Sequence, residues 1–400
     1  MSEEASKLKQ ALEKGEGVLR LLPSWVPRTF CIPGKRMRLH PDDYYAFGAH
    51  RGGIDERWFA STVKADNGPL TLEDEGLSYI AVNEKAEPDK VLLKDAIEIM
   101  GDEILGREVM ERYGGWTMFA KFFDNMEPLP HHLHQDDESA ARVGQKGKPE
   151  GYYFPRQLNN HSAYFPYTFF GLNPGTTKED VKRCLENWDI GDNGILYLSY
   201  AYKLELGTGW NVPPGVLHAP GSLLTYEPQR ASDVFAMFQS LVWDKVLPWD
   251  MVVKDVPEEY KHDLDYIVDL IDWDINLDPN FHKNRYLEPK PVLPVDEMKE
   301  KGFEEYWVVY NSEFFGAKEL TVHPGREVKI KDEAAYGIIV LQGHGKFGKL
   351  NIEAPTMIRF GQPTNDELFI TKNAAQDGVL IKNESSVEEL IMLKHFGPKA

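Results

Sequence analysis

Hydrophobic and polar positions along the chain switch between two periods. Leu8, Leu12 and Leu19 sit at near-helical spacing in an otherwise charged N-terminus, predicting one amphipathic helix that stops near Gly15 and Gly17, followed by an apron containing Pro23, Pro27 and Pro33. From Ile54 to Ile80, short runs such as RWFASTV, rich in aromatic and β-branched residues and broken by DNG, predict strands and turns. Residues 92–113 place Leu93, Ile97, Met100 and Ile104 at steps of three or four, predicting a helix or helix pair with Gly101 and Gly106 as breaks. TMFAKFFDN, GILYLSYAYKLEL and VFAMFQSLVW then read as strands. TTKEDVKRCLENWD carries a threonine cap and helical spacing through Val181, Leu185 and Trp188. An acidic, helical stretch between Val253 and Pro294 ends in the proline-rich EPKPVLPV and marks the expected domain joint. Residues 303–400 return to short strands, EYWVVYNSEF, KELTVHP, YGIIVLQGHG, TMIRFG, DELFITK, GVLIKN and ELIMLKHF, at the spacing of a β-sandwich. No fixed-period repeat accompanies this pattern.

At 400 residues with 42% apolar and 27% charged side chains, the chain has material for two cores. The net charge of −19 repels polyanions, so nucleic acid is not an expected partner. Two cysteines, Cys31 and Cys184, are too few for a disulfide framework and suit a reducing cytoplasm. The opening MSEEASKLKQALEKGEG lacks the apolar run of a signal peptide, and no run approaches a membrane span, so no membrane partner is expected.

The chemistry concentrates in HHLHQDDE, residues 131–138. On a strand, His132 and His134 share a face and can grip one divalent metal, while His131 faces the other way. His218, just past the Pro-Pro-Gly turn of WNVPPGVLHAPG, is the third candidate ligand. A carboxylate completes such a site, from Glu138, four residues after His134, or Glu150, in KGKPEGYYF; Asp136 and Asp137 are candidates to orient an imidazole. His40, His50, His161, His262, His282, His323, His344 and His395 lack paired spacing and read as surface or core residues. Trp58, Trp116, Tyr152, Tyr153, Phe165 and Tyr167 read as core or pocket wall.

Five blocks in one order resemble the class I mannose-6-phosphate isomerases, zinc-dependent enzymes of the cupin superfamily. They are IDERWFASTVKADNGPLTLEDE, MFAKFFDNMEPLPHHLHQDD, GKPEGYYF, NVPPGVLHAPG and YEPQRASDVF, covering most of residues 50–240. The resemblance implies a mainly β chain of two cupin (jelly-roll β-barrel) domains with helical insertions: an N-terminal arm (1–50), a metal-binding cupin domain (51–250), an acidic and proline-rich connector (251–300) and a C-terminal cupin-like domain without metal (301–400). It implies the ligands His132, His134, Glu150 and His218, favouring Glu150 over Glu138. The family pattern has glutamine where this chain has His132, which leaves zinc the first expectation and manganese, iron or nickel as alternatives.

A second departure replaces the arginine of the family's Ser-Asp-Asn-x-x-Arg segment with Met237. Arg230, Arg142, Lys146 and Lys148 are the candidates to compensate, and an unphosphorylated sugar becomes an alternative to a sugar phosphate. The implied activity is aldose–ketose isomerisation through an enediol. Lys148 is expected to assist the developing oxyanion and Glu227 to carry the proton. Arg230 and Asp233 are further catalytic candidates, and Glu56 and Lys121 are expected to bind substrate. An iron-dependent bicupin oxygenase and a non-catalytic carbohydrate-binding cupin are the rival readings.

Overall fold

The computed structural model describes residues 3–159, 166–243 and 245–398; His161 and Phe165 lie outside them. Antiparallel sheets dominate. A five-stranded, a seven-stranded, a nine-stranded and a four-stranded sheet are accompanied by one two-stranded ribbon. Shared apolar clusters place the four large sheets in successive layers. Phe170 of the five-stranded sheet packs with Phe123, Tyr152 and Trp210 of the seven-stranded one. The opposite face of that sheet, through Ile54, Phe59, Phe122 and Tyr226, meets Phe369, Ile391 and Leu393 of the nine-stranded sheet. Leu320, Ile338 and Met392 on the far side of the latter meet Val328, Phe347 and Ile381 of the four-stranded sheet. Sheets covered on both faces need inward side chains on both sides of the pleat, and the strands Gly53–Phe59, Met118–Phe123 and Leu390–Phe396 are accordingly buried throughout.

Residues 1–50, expected as a packing arm, supply strands to both halves. Val18–Leu22 pairs with Glu367–Ile370 in the nine-stranded sheet, and Ser24–Arg28 pairs with Gly53–Phe59 in the seven-stranded one. The helix Glu3–Gly15 ends where expected, but Leu19 belongs to the following strand, because Gly17 at φ 82 turns the chain before it. The helical pair resolves into Leu93–Ile104 and Arg107–Tyr113, separated at Gly106. Lys178–Glu186 starts at Thr177 with a reciprocal capping box to Asp180. The acidic stretch forms three short α-helices, Leu264–Asp269, Trp273–Asn276 and Phe281–Arg285. TMIRFG is not a strand: Ile358 makes only an isolated bridge with Leu39, and Met357 and Phe360 are exposed. GILYLSYAYKLEL begins as a 3-10 turn, Ile195–Leu198, and only Tyr200–Lys203 is extended. Among the described residues no helix is long and apolar enough to cross a membrane.

Candidate metal centre and active site

The site lies between the five- and seven-stranded sheets. His132–Leu133 pairs with His218–Ala219, His218 opposite His132, so the third imidazole arrives from a neighbouring strand. His134 follows two residues after His132 on the same side, as alternation requires. The ligating nitrogens of His132, His134 and His218 all lie within 4.8 Å of one another. Glu150, at the start of Glu150–Tyr153 in the facing sheet, brings Oε1 to 2.8 Å from His134 Nε2 and Oε2 to 3.6 Å from His218 Nε2.

The protonation pattern of the imidazoles follows from their partners. Nδ1 of His132 contacts the Pro130 carbonyl at 2.6 Å, Nδ1 of His134 the Val234 carbonyl at 2.7 Å, and Nδ1 of His218 the Val216 carbonyl at 2.8 Å. A carbonyl only accepts, so each Nδ1 carries the hydrogen and each Nε2 presents a lone pair. Burial, and then the neighbouring His218 and His134, keep His132 neutral far below its usual range; burial brings His134 down to about 4 against the pull of Glu150. Nε2 of His134 and of His218 is buried without a hydrogen bond of proper geometry. Three lone pairs converging beside a buried carboxylate are the donor set of a divalent transition metal.

The chain around the ligands is held by its own backbone. Gly215, at φ 75 in the Pro-Pro-Gly turn, donates its N–H to the His134 carbonyl at 2.8 Å, and a Cβ there would come within 2.9 Å of the Asp272 nitrogen. That contact ties the His218 loop to the His134 strand. After His134 the chain leaves the sheet for the helix Asp137–Ala141, capped by Asp136, so Glu138 is carried to the surface and pairs with Arg142 at 3.0 Å. Glu150 therefore meets the imidazoles and Glu138 does not. Asp136 and Asp137 orient no imidazole either: the first caps the helix, and the second accepts from the Gly147 N–H and from Arg230.

A cleft beside the imidazoles, part of it open to solvent, has a cavity volume of about 40 Å³. Glu56, Lys121, Lys148, Glu227 and Asp233 all line it, together with Tyr152, Phe235 and Met237. Lys148 Nζ sits 2.8 Å from Glu150 Oε1, and Lys121 Nζ lies between Glu56 Oε1 at 3.5 Å and Glu227 Oε1 at 3.4 Å. The Tyr152 hydroxyl donates to Glu150 Oε2 at 2.9 Å. Burial raises Glu227 well above the carboxylate range, the nearby Glu150 charge adds to it, and Lys121 and Lys148 only partly oppose. Burial alone would raise Asp233 as well, but the charge of Arg28, then Lys148, holds it below the usual range.

Arg230 is not part of this set. Alternation along Thr225–Arg230 turns Glu227 into the cleft and Arg230 away from it, to Asp137 and over the Phe314 ring. The cleft's arginine is instead Arg28, whose guanidinium meets Glu56 Oε1 at 3.2 Å and Asp233 Oδ1 at 3.3 Å. Sequence reasoning did not single out Arg28, whose place beside Glu56 depends on the pairing of Ser24–Arg28 with Gly53–Phe59. Lys146 is exposed, and Arg142 lies over Tyr266 outside the cleft.

No family model matches the chain, and no curated protein does. Solved structures do match. Mannose 6-phosphate isomerase from Bacillus subtilis is similar over 95% of this chain and 99% of its own, at 17% identity and a TM-score of 0.61. A variant of phosphomannose isomerase from Salmonella typhimurium is similar over 96% and 100%, at 12% identity and a TM-score of 0.61. A zinc-bound mannose 6-phosphate isomerase is similar over the same shares, at 12% identity and a TM-score of 0.62. The chain therefore has a phosphomannose-isomerase-like fold.

Proposed function

We propose that this protein is a divalent-metal-dependent aldose–ketose isomerase, acting on a sugar or sugar phosphate, built on two cupin units whose larger parts are residues 51–250 and 301–400, with strands of residues 1–50 added to both. The observation that carries the reading is the common tautomer of His132, His134 and His218: each Nδ1 is bound to a backbone carbonyl and each Nε2 is free to ligate beside Glu150. These four residues hold the metal in this reading, with zinc as the expected ion. A divalent ion held by these residues would supply the electrophile that an enediol reaction needs at the sugar's carbonyl.

The chain's own groups supply the proton chemistry. Glu227, buried in the cleft with Lys121 Nζ at 3.4 Å, removes the proton from carbon 2 of the aldose and returns it to carbon 1. Lys148 gives a proton to the carbon-1 oxygen as negative charge develops there and takes back the proton that the carbon-2 hydroxyl releases as the ketone forms. Lys121 holds Glu227 and Glu56 in place, and Glu56 and Asp233 accept sugar hydroxyls. Carboxylates on one wall and ammonium groups between them suit a polyol.

Metal analysis combined with exchange of solvent deuterium into carbon 2 of mannose, lyxose and mannose 6-phosphate tests the reading. Stoichiometric metal and exchange with at least one sugar are expected, with exchange lost in Glu227→Gln. Absence of exchange with all three refutes isomerisation. Metal-dependent oxygen consumption would instead point to an oxygenase.

A further inference from the structure

Among the described residues, the cations lining the cleft are Arg28, Lys121 and Lys148, and each is engaged by buried carboxylates. Lys148 is on Glu150, Lys121 bridges Glu56 and Glu227, and Arg28 clamps Glu56 and Asp233. Four carboxylates thus face three cations. Basic groups just outside are paired as well: Arg230 with Asp137, and Lys254 with Asp66 and Asp255. Residues 160–165, Asn-His-Ser-Ala-Tyr-Phe, contain neither lysine nor arginine. Phe235 and Met237 present apolar side chains to the same space.

We infer that the cleft takes an uncharged, unphosphorylated sugar, an inference that rests on the isomerase reading and narrows its substrate class. A phosphoryl group is an acceptor only and is anionic at neutral pH. To bind, it would have to draw a cation from its carboxylate and leave that carboxylate buried and unpaired, the costliest outcome for an ion pair. A hydroxyl both donates and accepts, so it fits beside a carboxylate, which only accepts, and beside an ammonium, which only donates. The interleaving of Glu56, Lys121 and Glu227 provides both kinds of partner within one reach. The net charge of −19 also works against a dianionic substrate during encounter.

The test compares mannose with mannose 6-phosphate on the zinc-loaded full chain, reading deuterium exchange and, separately, ligand binding by NMR titration. A kcat/KM for mannose at least about tenfold above that for mannose 6-phosphate is expected. Met237→Arg, which brings the cations to four against four carboxylates, is expected to move that ratio at least about tenfold toward the phosphorylated sugar. Equal or better turnover of mannose 6-phosphate by the wild type overturns this inference and leaves the isomerase reading standing. An unchanged ratio in Met237→Arg also overturns it. If neither sugar turns over, the isomerase reading fails and binding decides the substrate class: mannose bound more tightly supports it, while tighter mannose 6-phosphate, or no binding of either, overturns it.

Discussion

Replacing Tyr152 by phenylalanine isolates the contribution of one hydroxyl to the metal centre. The Tyr152 hydroxyl donates to Glu150 Oε2 at 2.9 Å, while the other carboxylate oxygen accepts from Lys148 Nζ at 2.8 Å. Without the hydroxyl, Oε2 loses its hydrogen-bond donor and the carboxylate is held through Oε1 and Lys148 alone. The ring itself stays packed, with centroids 5.7 Å from Phe123 and 6.2 Å from Phe170, so the variant opens no side-chain-sized cavity. A hydrogen bond to a charged group contributes about 1.5–3 kcal/mol, and loss of a partner that orients a ligand costs roughly 10- to 100-fold in metal affinity. Zinc affinity measured by competition with a chromophoric chelator is therefore expected to fall within that span in Tyr152→Phe. The zinc-induced rise in melting temperature should shrink accordingly. A zinc affinity within about twofold of wild type would refute the claim that Tyr152 orients the carboxylate ligand.

Three further outcomes follow from the same geometry. His218→Ala should come out of dialysis with little bound zinc, measured by atomic absorption, because two imidazoles and Glu150 remain where three converged; full occupancy would remove His218 from the ligand set. Lys394→Met should destabilise the protein by about 3–5 kcal/mol in urea titration, since Lys394 Nζ sits 2.7 Å from Glu305 and 2.5 Å from Asp332 in a fully buried network, and a loss under about 1 kcal/mol would contradict that. His395 is buried with Nδ1 on the Tyr226 hydroxyl at 3.0 Å, and burial lowers its pKa from 6.5 to about 3. Below pH 6.5 the unfolded chain takes up a proton that the folded chain refuses, so this residue's contribution to stability declines as pH falls from about 6.5 toward about 3. By pH 5 the decline amounts to about 2 kcal/mol, and the stability difference between pH 7 and pH 5 should be smaller by about that amount in His395→Gln; an equal difference in both proteins would contradict the assignment.

Much of the site could be read along the chain because its parts are local. The two-residue step between His132 and His134 puts them on one face of any strand, and the Pro-Pro-Gly turn before His218 has a rigid conformation wherever it is placed. Thr177 and Asp180 likewise determine a helix start by hydrogen bonds within one turn. The choice between Glu138 and Glu150 was tertiary: only the capping of a helix by Asp136 shows the first going to solvent, and only sheet packing shows the second arriving opposite His134. Arg28 and Arg230 exchanged their expected importance for the same reason. The pleat turns Arg230 outward, and Arg28 reaches the cleft through the pairing of Ser24–Arg28 with Gly53–Phe59, a partner strand that residue spacing does not identify. The orienting carbonyls of Pro130, Val234 and Val216 belong to the backbone, which every residue shares, so no side-chain pattern could have singled them out. Residue types and their short-range periodicity determined what chemistry this chain can hold. Pairing of strands far apart in sequence decided which of those groups meet, because the packing of one sheet on another depends on the whole set of inward side chains at once.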